Sequence, residues 1–496
     1  MRFDRLNVND LSSNGDQPMF FNDLILICNG EIFNHNSIEA AFNFQMKSNS
    51  DCEVILHLYH SLVQHTMETF GKTSVPSRID HIMHLLCNHL DGEFAFCLVD
   101  QSNDLVVYAR DPYGVRPLFV NTSSGSAASE LKAFEQRVHD RVRQFPPGHF
   151  GVMRNFSESL QFTPYVPTTP PSNLQECTTR SGIVKSIRFL MESAVKKRLM
   201  SDRPICALLS GGLDSSLVAA LAAKSLPYPL KTFSIGFEGS PDLKYAQLVA
   251  AHIGSEHTEI VATPKMFLDA IETVIKCIES YDTTTVRASI GNYLVAKHIK
   301  DTCKSVVVFN GDYADEVCGG YRYMQLCDDP EEFDRECRRL VNDIHYFDSL
   351  RSDRTISAHG LEARVPFADK KFVAFYQNIP PIFRMSNTQI EKLLLREAFD
   401  QENLLPKEVL WRKKEAFSDG VSKASFSWGD ILKGHIDSIV SDAEFDSMNV
   451  KNFKLKETYY YHKLFSKYYF NDDIIPHLWM PKYCDANVTD PSARKL

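Results

Sequence analysis

Ile205-Cys206-Ala207-Leu208-Leu209-Ser210-Gly211-Gly212-Leu213-Asp214-Ser215-Ser216 is the stretch that decides the architecture of this chain. Its leading apolar residues predict a buried strand, and Leu217-Val218-Ala219-Ala220-Leu221-Ala222-Ala223-Lys224 predicts a helix behind it. Between them lies a loop with two glycines and flanking hydroxyls. Strand, loop and helix N-terminus together form a phosphate-binding construction. Glycine lets the backbone approach an anion, the N–H groups point at it, and the helix dipole favours negative charge. The Walker spacing, with Lys before Ser or Thr, is absent. Asp214 stands inside the loop instead, and a carboxylate beside phosphates points to a bridging Mg2+. A glycine turn with a serine cap is the plainer reading. The nucleotide reading prevails because strand and helix both stand where the mechanism needs them.

At 496 residues the chain exceeds one hydrophobic core, so two or more domains are expected. A hydrophobic share of 44% and a charged share of 24% place it among soluble globular proteins. The net charge of −9 argues against a nucleic-acid-binding surface. No apolar run is long enough to span a bilayer, and the start lacks the layout of a signal peptide. The 12 cysteines form no C-x-x-C pair and no Cys/His cluster, which disfavours zinc and a disulfide framework. Reduced thiols in a cytoplasmic protein are the expectation.

Along the chain, 23–28, 94–99 and 105–108 are short apolar runs bounded by Asn, Gly and Asp, and a helical stretch begins at Val54. Pro164, Pro167, Pro170 and Pro171 mark a Pro/Ser/Thr-rich linker. Beyond it, Ile183, Ile187, Leu190, Met191, Ala194 and Val195 recur at helical spacing, and 232–237 and 305–309 read as buried parallel strands. From about residue 330 the chain reads as mostly helical. The division expected is a strand-rich domain over 1–152, a linker over 153–180, a doubly wound α/β domain over 181–485 and a tail over 486–496.

The S-G-G-x-D-S-S loop resembles that of the ATP pyrophosphatase group. Several further segments are similar to the synthetase domain of glutamine-hydrolysing asparagine synthetases. They are Phe233-Ser234-Ile235-Gly236-Phe237, Tyr281-Asp282-Thr283-Thr284-Thr285-Val286-Arg287, Glu362-Ala363-Arg364-Val365-Pro366-Phe367, Lys414-Glu415-Ala416-Phe417-Ser418-Asp419-Gly420-Val421 and Thr489-Asp490-Pro491-Ser492. The resemblance implies that aspartate attacks the α-phosphorus of ATP, releasing pyrophosphate, and that ammonia then displaces AMP. Ser210, Gly211, Gly212, Ser215 and Ser216 would cradle the pyrophosphate, and the Leu208 and Ile235 backbones with Gly311 would surround the nucleotide. Asp214 and Asp315 would hold Mg2+. Lys414 would stabilise phosphate charge, against the plainer reading of a solvated lysine in a charged run. Asp348 and Arg351 match positions near the substrate aspartate.

One departure concerns Asn310-Gly311-Asp312-Tyr313-Ala314-Asp315-Glu316, which reads S-G-E-G-A-D-E in relatives. Asp312 keeps the carboxylate of the ammonia-deprotonating Glu but withdraws it by about 1.5 Å. A shift of that size can cost roughly a hundredfold in rate. Tyr313 replaces a Gly, which matters if the position needs φ > 0. The plainer reading makes Asp312 a cap of the following turn.

The first half resembles the family's glutaminase domain, an α+β fold of antiparallel sheets of the N-terminal-nucleophile type. The matching segments are Asp4-Arg5-Leu6, Asn29-Gly30-Glu31-Ile32-Phe33-Asn34, Ser50-Asp51, Asp91-Gly92-Glu93-Phe94 and Ala109-Arg110-Asp111-Pro112-Tyr113-Gly114-Val115-Arg116-Pro117. By resemblance Arg5 takes the glutamine carboxylate, Asn29 and the Gly30 N–H form the oxyanion hole, and Glu31 and Asp51 hold the α-amino group. Local readings compete. Asn29-Gly30 is a hairpin signal, and Ser50-x-x-Glu53 is a capping box. The family's N-terminal Cys nucleophile does not appear in Met1-Arg2-Phe3-Asp4-Arg5. Either the start lies upstream, or this half has decayed and the synthetase uses free ammonia.

The expected activity is therefore ATP-dependent asparagine synthesis with ATP and Mg2+, acting on aspartate with glutamine or ammonia. No nucleic acid or membrane partner is expected, and the family resemblance implies a homodimer. A β-lactam-forming relative and a non-catalytic ATP-binding homologue are the competing readings.

Overall fold

The computed structural model describes residues 6–155, 160–165, 179–386, 390–414, 420–422, 427–448, 451–484 and 490–491. The chain divides into two compact units, one of Met1–Pro170 with Met200–Arg203, the other of Pro171–Leu199 with Pro204–Leu496.

In the first unit, alternating sequence lays a sheet between two apolar layers. Strands β1 (Met19–Phe21), β2 (Leu24–Ile32), β3 (Gly92–Asp100) and β4 (Leu105–Arg110) lead the chain order. They are followed by β5 (Phe119–Asn121), β6 (Ala127–Ala128), β7 (Val142–Gln144), β8 (His149–Arg154) and β9 (Gln161–Pro164). Six of them form an antiparallel sheet in the order β1-β2-β3-β4-β8-β9, and β6-β5-β7 form a second. On one face Leu26, Cys28, Phe94, Phe96 and Leu98 pack against Ile55, Leu58, Tyr59, Ile79 and Met83 of the Val54–Phe70 and Val75–His89 helices. On the other, Ala95, Val106, Tyr108 and Met153 meet Val120 and Phe145. The period of two along β3 thus feeds two separate cores. Strand β9 pairs with β8 from His149↔Pro164 to Val152↔Gln161, so the sheet continues into a segment whose composition reads as linker.

The Ala109–Pro117 motif builds a turn around a buried cation. Arg110 gives Nε–H to Arg116 O at 2.7 Å, Nη1–H to Phe145 O at 2.7 Å and Nη2–H to Gly114 O at 3.0 Å. Asp111 accepts the backbone N–H groups of Val115 and Arg116 at 3.0 and 2.9 Å. A buried guanidinium is tolerable because its donors are spent on carbonyls.

The second unit carries a five-stranded, wholly parallel sheet. Its strands are β10 (Ile205–Leu208), β11 (Lys231–Phe237), β12 (Glu256–Ala262), β13 (Val307–Phe309) and β14 (Glu362–Arg364), in the order β12-β11-β10-β13-β14. The chain steps outward from β10 to β12, then returns to the other side of β10 with β13. The order therefore reverses between β10 and β13, and at such a switch point the loops leaving the carboxyl ends part to make a crevice. Those loops are 209–212 and 310–313.

Arginines of two other segments quoted above act as ties within this unit. Arg287 gives Nη2–H and Nε–H to Glu457 at 2.6 and 2.8 Å and Nη1–H to Asp490 at 2.8 Å. In β14, Arg364 Nε–H bonds Glu362 at 2.6 Å and Nη1–H bonds Arg198 O at 2.7 Å.

Candidate functional site

The crevice at the switch point is a cavity of about 220 Å³. Its floor is the 209–214 loop. Gly211 adopts φ +73°, and a Cβ there would lie 2.5 Å from Ala246 N, so only glycine lets the loop pass the Pro241–Ile253 helix. Gly212 caps the Leu213–Ser225 helix, whose first turn aims its N–H groups into the cavity. The two hydroxyls close the loop, since Ser215 Oγ accepts Ser210 N–H at 3.2 Å and lies 2.9 Å from Ser210 Oγ. Arg412 braces it, with Nη1–H to Gly211 O at 3.1 Å and Nη2–H to Asp242 at 2.9 Å.

Leu208, Ser210, Gly212, Asp214, Ser215, Ile235, Gly311, Asp312, Asp315, Asp348, Arg351 and Lys414 all line this cavity. Gly211 and Ser216 stand behind the lining, and Ser216 is fully buried. The aspartates divide into two groups. Asp214 and Asp315 share cations: Lys392 Nζ lies 2.5 Å from Asp214 Oδ2 and 2.6 Å from Asp315 Oδ1, while Lys414 pairs with Asp315 and lies 4.0 Å from Asp214. Burial alone would raise the Asp315 carboxyl, but the Lys392 and Lys414 ammonium groups overcome it and hold the group well below the usual range. With its side chain only 17% exposed, Lys414 is no solvated lysine.

The second group surrounds Arg351, whose guanidinium lies 2.6 Å from Asp312 Oδ1 and 2.9 Å from Asp348 Oδ1. Asp312 does not cap the next helix; Tyr313 occupies that position. Burial raises the Asp312 carboxyl against the pull of Arg351, and its Oδ2 is buried and accepts no hydrogen bond. Behind this pair Glu316 is raised by burial and by the charge of Asp348, and Tyr321 donates to both of these carboxylates.

Tyr313 sits at φ 75°, the left-handed region that glycine prefers. It is held there by its ring, which is 2% exposed, and by a bond between its hydroxyl and Ser349 Oγ. The strain is on the order of 1 kcal/mol, whereas emptying a buried aromatic site costs roughly 3–5 kcal/mol. Tyr313→Gly should therefore lower stability by about 2–4 kcal/mol. Chemical denaturation would measure it, and a stabilised variant would show that backbone strain dominates.

In the first unit Asn29-Gly30 forms no hairpin turn. Both residues lie mid-strand in β2, paired with Ala95 and Phe94. Gly30 has φ +143°, and a Cβ there would lie 2.6 Å from Phe94 Cα, so close strand approach is what requires glycine. Glu31 and Asp51 are buried and brought together by Asn9, whose side-chain amide donates to Glu31 Oε2 and, at 3.2 Å, to Asp51 Oδ1. Asp51 also accepts Ile32 N–H at 2.6 Å. Arg5 lies outside the described residues.

The capping box that competes as a local reading of Ser50-x-x-Glu53 does not form. Ser50 makes no side-chain cap, and Glu53 reaches back to Lys47 N–H and Ser48 N–H, both at 2.8 Å, and forward to His57 at 3.1 Å. Burial raises the Glu53 carboxyl, yet the His57 and Ser48 bonds outweigh it and bring it to about 2 from 4.5. A depressed folded value stabilises above the unfolded one and is lost as pH falls, so the contribution of Glu53 should fade between pH 4.5 and about 2. Denaturation curves of the parent and Glu53→Gln chains should converge across that window; a constant difference would exclude the coupling.

Sequence reasoning missed Lys392, Arg412, Tyr321 and Asn9, which stand in none of the quoted segments and are brought to these positions by the fold. It gave no role to Glu316, the last residue of the 310–316 segment.

The family model described as asparagine synthase matches residues 186–328 and 325–472, and that described as glutamine amidotransferase domain matches 3–136. Over 504 residues the chain is 43% identical to the asparagine synthetase (glutamine-hydrolyzing) of Gallus gallus. It is 42% identical to that of Cricetulus griseus over 505 residues and to that of Homo sapiens over 504. Each match covers 95% of this chain and 86% of the relative.

Proposed function

This chain belongs to the asparagine synthetase (glutamine-hydrolyzing) family, and from that premise we propose how its residues carry out ATP-dependent amidation of aspartate. The observation that carries the reading is the convergence of the 209–214 loop, Lys414 and the Asp312–Arg351–Asp348 group on one cavity.

In this reading the triphosphate lies on the first turn of the Leu213–Ser225 helix, whose N–H groups face its β- and γ-phosphates. Arg351 and Asp348 orient the α-carboxylate and α-ammonium of aspartate, leaving its side-chain carboxylate toward the α-phosphorus. Attack there forms the mixed anhydride and breaks the bond to pyrophosphate. The charge that develops on the leaving oxygens falls to the loop N–H groups and Lys414. Ammonia then adds to the acyl carbon, loses a proton to Asp312 Oδ2, and AMP leaves with the bond electrons. Arg351 holds Asp312 Oδ1, which leaves the second oxygen to take that proton.

Asp214 and Asp315 fit a divalent cation: they are hard oxygen donors within reach of one ammonium group, and Asp214 Oδ1 is buried without a hydrogen bond. Mg2+ bound there would neutralise phosphate charge.

In the first unit, Glu31 and Asp51 are proposed to take the glutamine α-ammonium, and Asn29 and the Gly30 N–H the developing oxyanion. In the same reading the enzyme is cytoplasmic and acts on small molecules, with a homodimer proposed on family grounds. No helix among the described residues is long and apolar enough to cross a membrane.

The test is product analysis with ATP, Mg2+ and aspartate, comparing ammonium with glutamine as nitrogen source. Asparagine, AMP and pyrophosphate in equal amounts are expected with ammonium. Pyrophosphate release independent of aspartate would refute the reading of the acceptor site.

A further inference from the structure

We propose that Lys392 is a resident occupant of the divalent-metal position, so that the metal enters only together with a nucleotide whose phosphates draw the ammonium away. The inference rests on the reading of Asp214 and Asp315 as metal carboxylates.

The placement of Lys392 is built rather than incidental. Its side chain is 1% exposed, with Nζ between the two aspartates at 2.5 and 2.6 Å. Its backbone has φ 56°, a left-handed conformation that a non-glycine residue adopts only under strain. Opposite it, Gly320 leaves room for the lysine stem, since a Cβ at 320 would overlap Lys392 Cε and Asp315 Oδ1. The preceding residue is anchored as well, because Glu391 is buried and paired with Arg396. Strained backbone, absent side chain and anchored neighbour all serve one result: an ammonium group between two carboxylates.

Charge and distance make that ammonium a competitor of the metal. Two lysines already balance two aspartates, so a dication arriving alone meets a neutral site with a cation in its place. Mg2+ binds oxygen at about 2.0–2.1 Å, and Nζ already lies 2.5–2.6 Å from Asp214 Oδ2 and Asp315 Oδ1, so an ion bridging those two oxygens would stand against the ammonium. A nucleotide changes the balance. Its phosphates bring negative charge, and a lysine is a point charge on a flexible four-carbon stem that can swing from carboxylate to phosphate. Metal and nucleotide thus enter as a pair, and Lys392 sets the order.

The experiment titrates Mn2+, which takes the same oxygen ligands, into the full chain and reads bound metal by electron paramagnetic resonance. The parent chain should bind Mn2+ weakly alone and tightly with a non-hydrolysable ATP analogue. Lys392→Gln should bind Mn2+ alone at least about tenfold more tightly than the parent, with a metal-dependent rise in melting temperature that the parent lacks. Lys392→Arg, which keeps the charge, should stay weak. Equal affinity of parent and Lys392→Gln, or tight binding by the parent without nucleotide, overturns the proposal. The parent titration decides even if Lys392→Gln does not fold. Binding in Lys392→Gln that survives Asp214→Asn would overturn the carboxylate reading itself, and the proposal with it.

Discussion

The Asp214→Asn chain is expected to release pyrophosphate from ATP and aspartate at least about a thousandfold more slowly than its parent. The exchange preserves volume and the loop backbone but removes a hard anionic donor from the phosphate end of the cavity. It also turns an amide toward Lys392, whose ammonium lies 2.5 Å from Oδ2, and toward Lys414 at 4.0 Å. Two ammonium groups would then share Asp315 alone, and the first helical turn would lose its acid. A coupled pyrophosphate assay measures the rate, and a melting temperature within a few degrees of the parent separates chemistry from folding. A rate within tenfold of the parent would place Asp214 away from the reacting phosphates.

Gly311→Ala is expected to cost more than a hundredfold in the same assay, through geometry alone. A Cβ at 311 would lie 2.5 Å from Ser215 N and 2.7 Å from Asp214 C. Both are backbone atoms of the first turn of the Leu213–Ser225 helix, which cannot yield as a flexible side chain would. The loops leaving β10 and β13 must separate, carrying the Ser215 N–H and the Asp214 carboxylate out of register with the substrate. The fold should survive, because the strands beneath remain paired from Ile205↔Val307 to Ala207↔Phe309. Retained activity would mean that the two loops do not act as one cradle.

The strand, loop and helix over 205–224 are legible in the sequence because their signals are local: an apolar run, glycines at the turn, an alanine-rich helix. The parallel partners β11 and β13 are legible for the same reason. That Asp312, Asp315, Asp348, Arg351 and Lys414 approach one loop is legible only through family resemblance, since nothing in their own neighbourhoods points there. Lys392 is not legible at all. In sequence it is one cation in a mixed run, and its role comes from a left-handed backbone angle and from a glycine 72 positions earlier. Local patterns also mislead. Ser50-x-x-Glu53 has the spacing of a capping box, yet the glutamate turns back to Lys47 and Ser48. Asn29-Gly30 has the composition of a turn, yet a β-ladder runs through it.

The strand order of the second unit has a consequence for its biosynthesis. Central β10 is the first of the five strands to leave the ribosome, and β11 covers one of its edges soon afterwards. Its other edge waits for β13, about a hundred residues later. At roughly 5–20 residues per second, that edge stays unpaired for about 5–20 s. The nascent chain offers an apolar, parallel-pairing template throughout that interval. A pause or premature stop between 210 and 305 would leave an aggregation-prone intermediate, so codon usage and chaperone contact over this window bear directly on the yield of active enzyme.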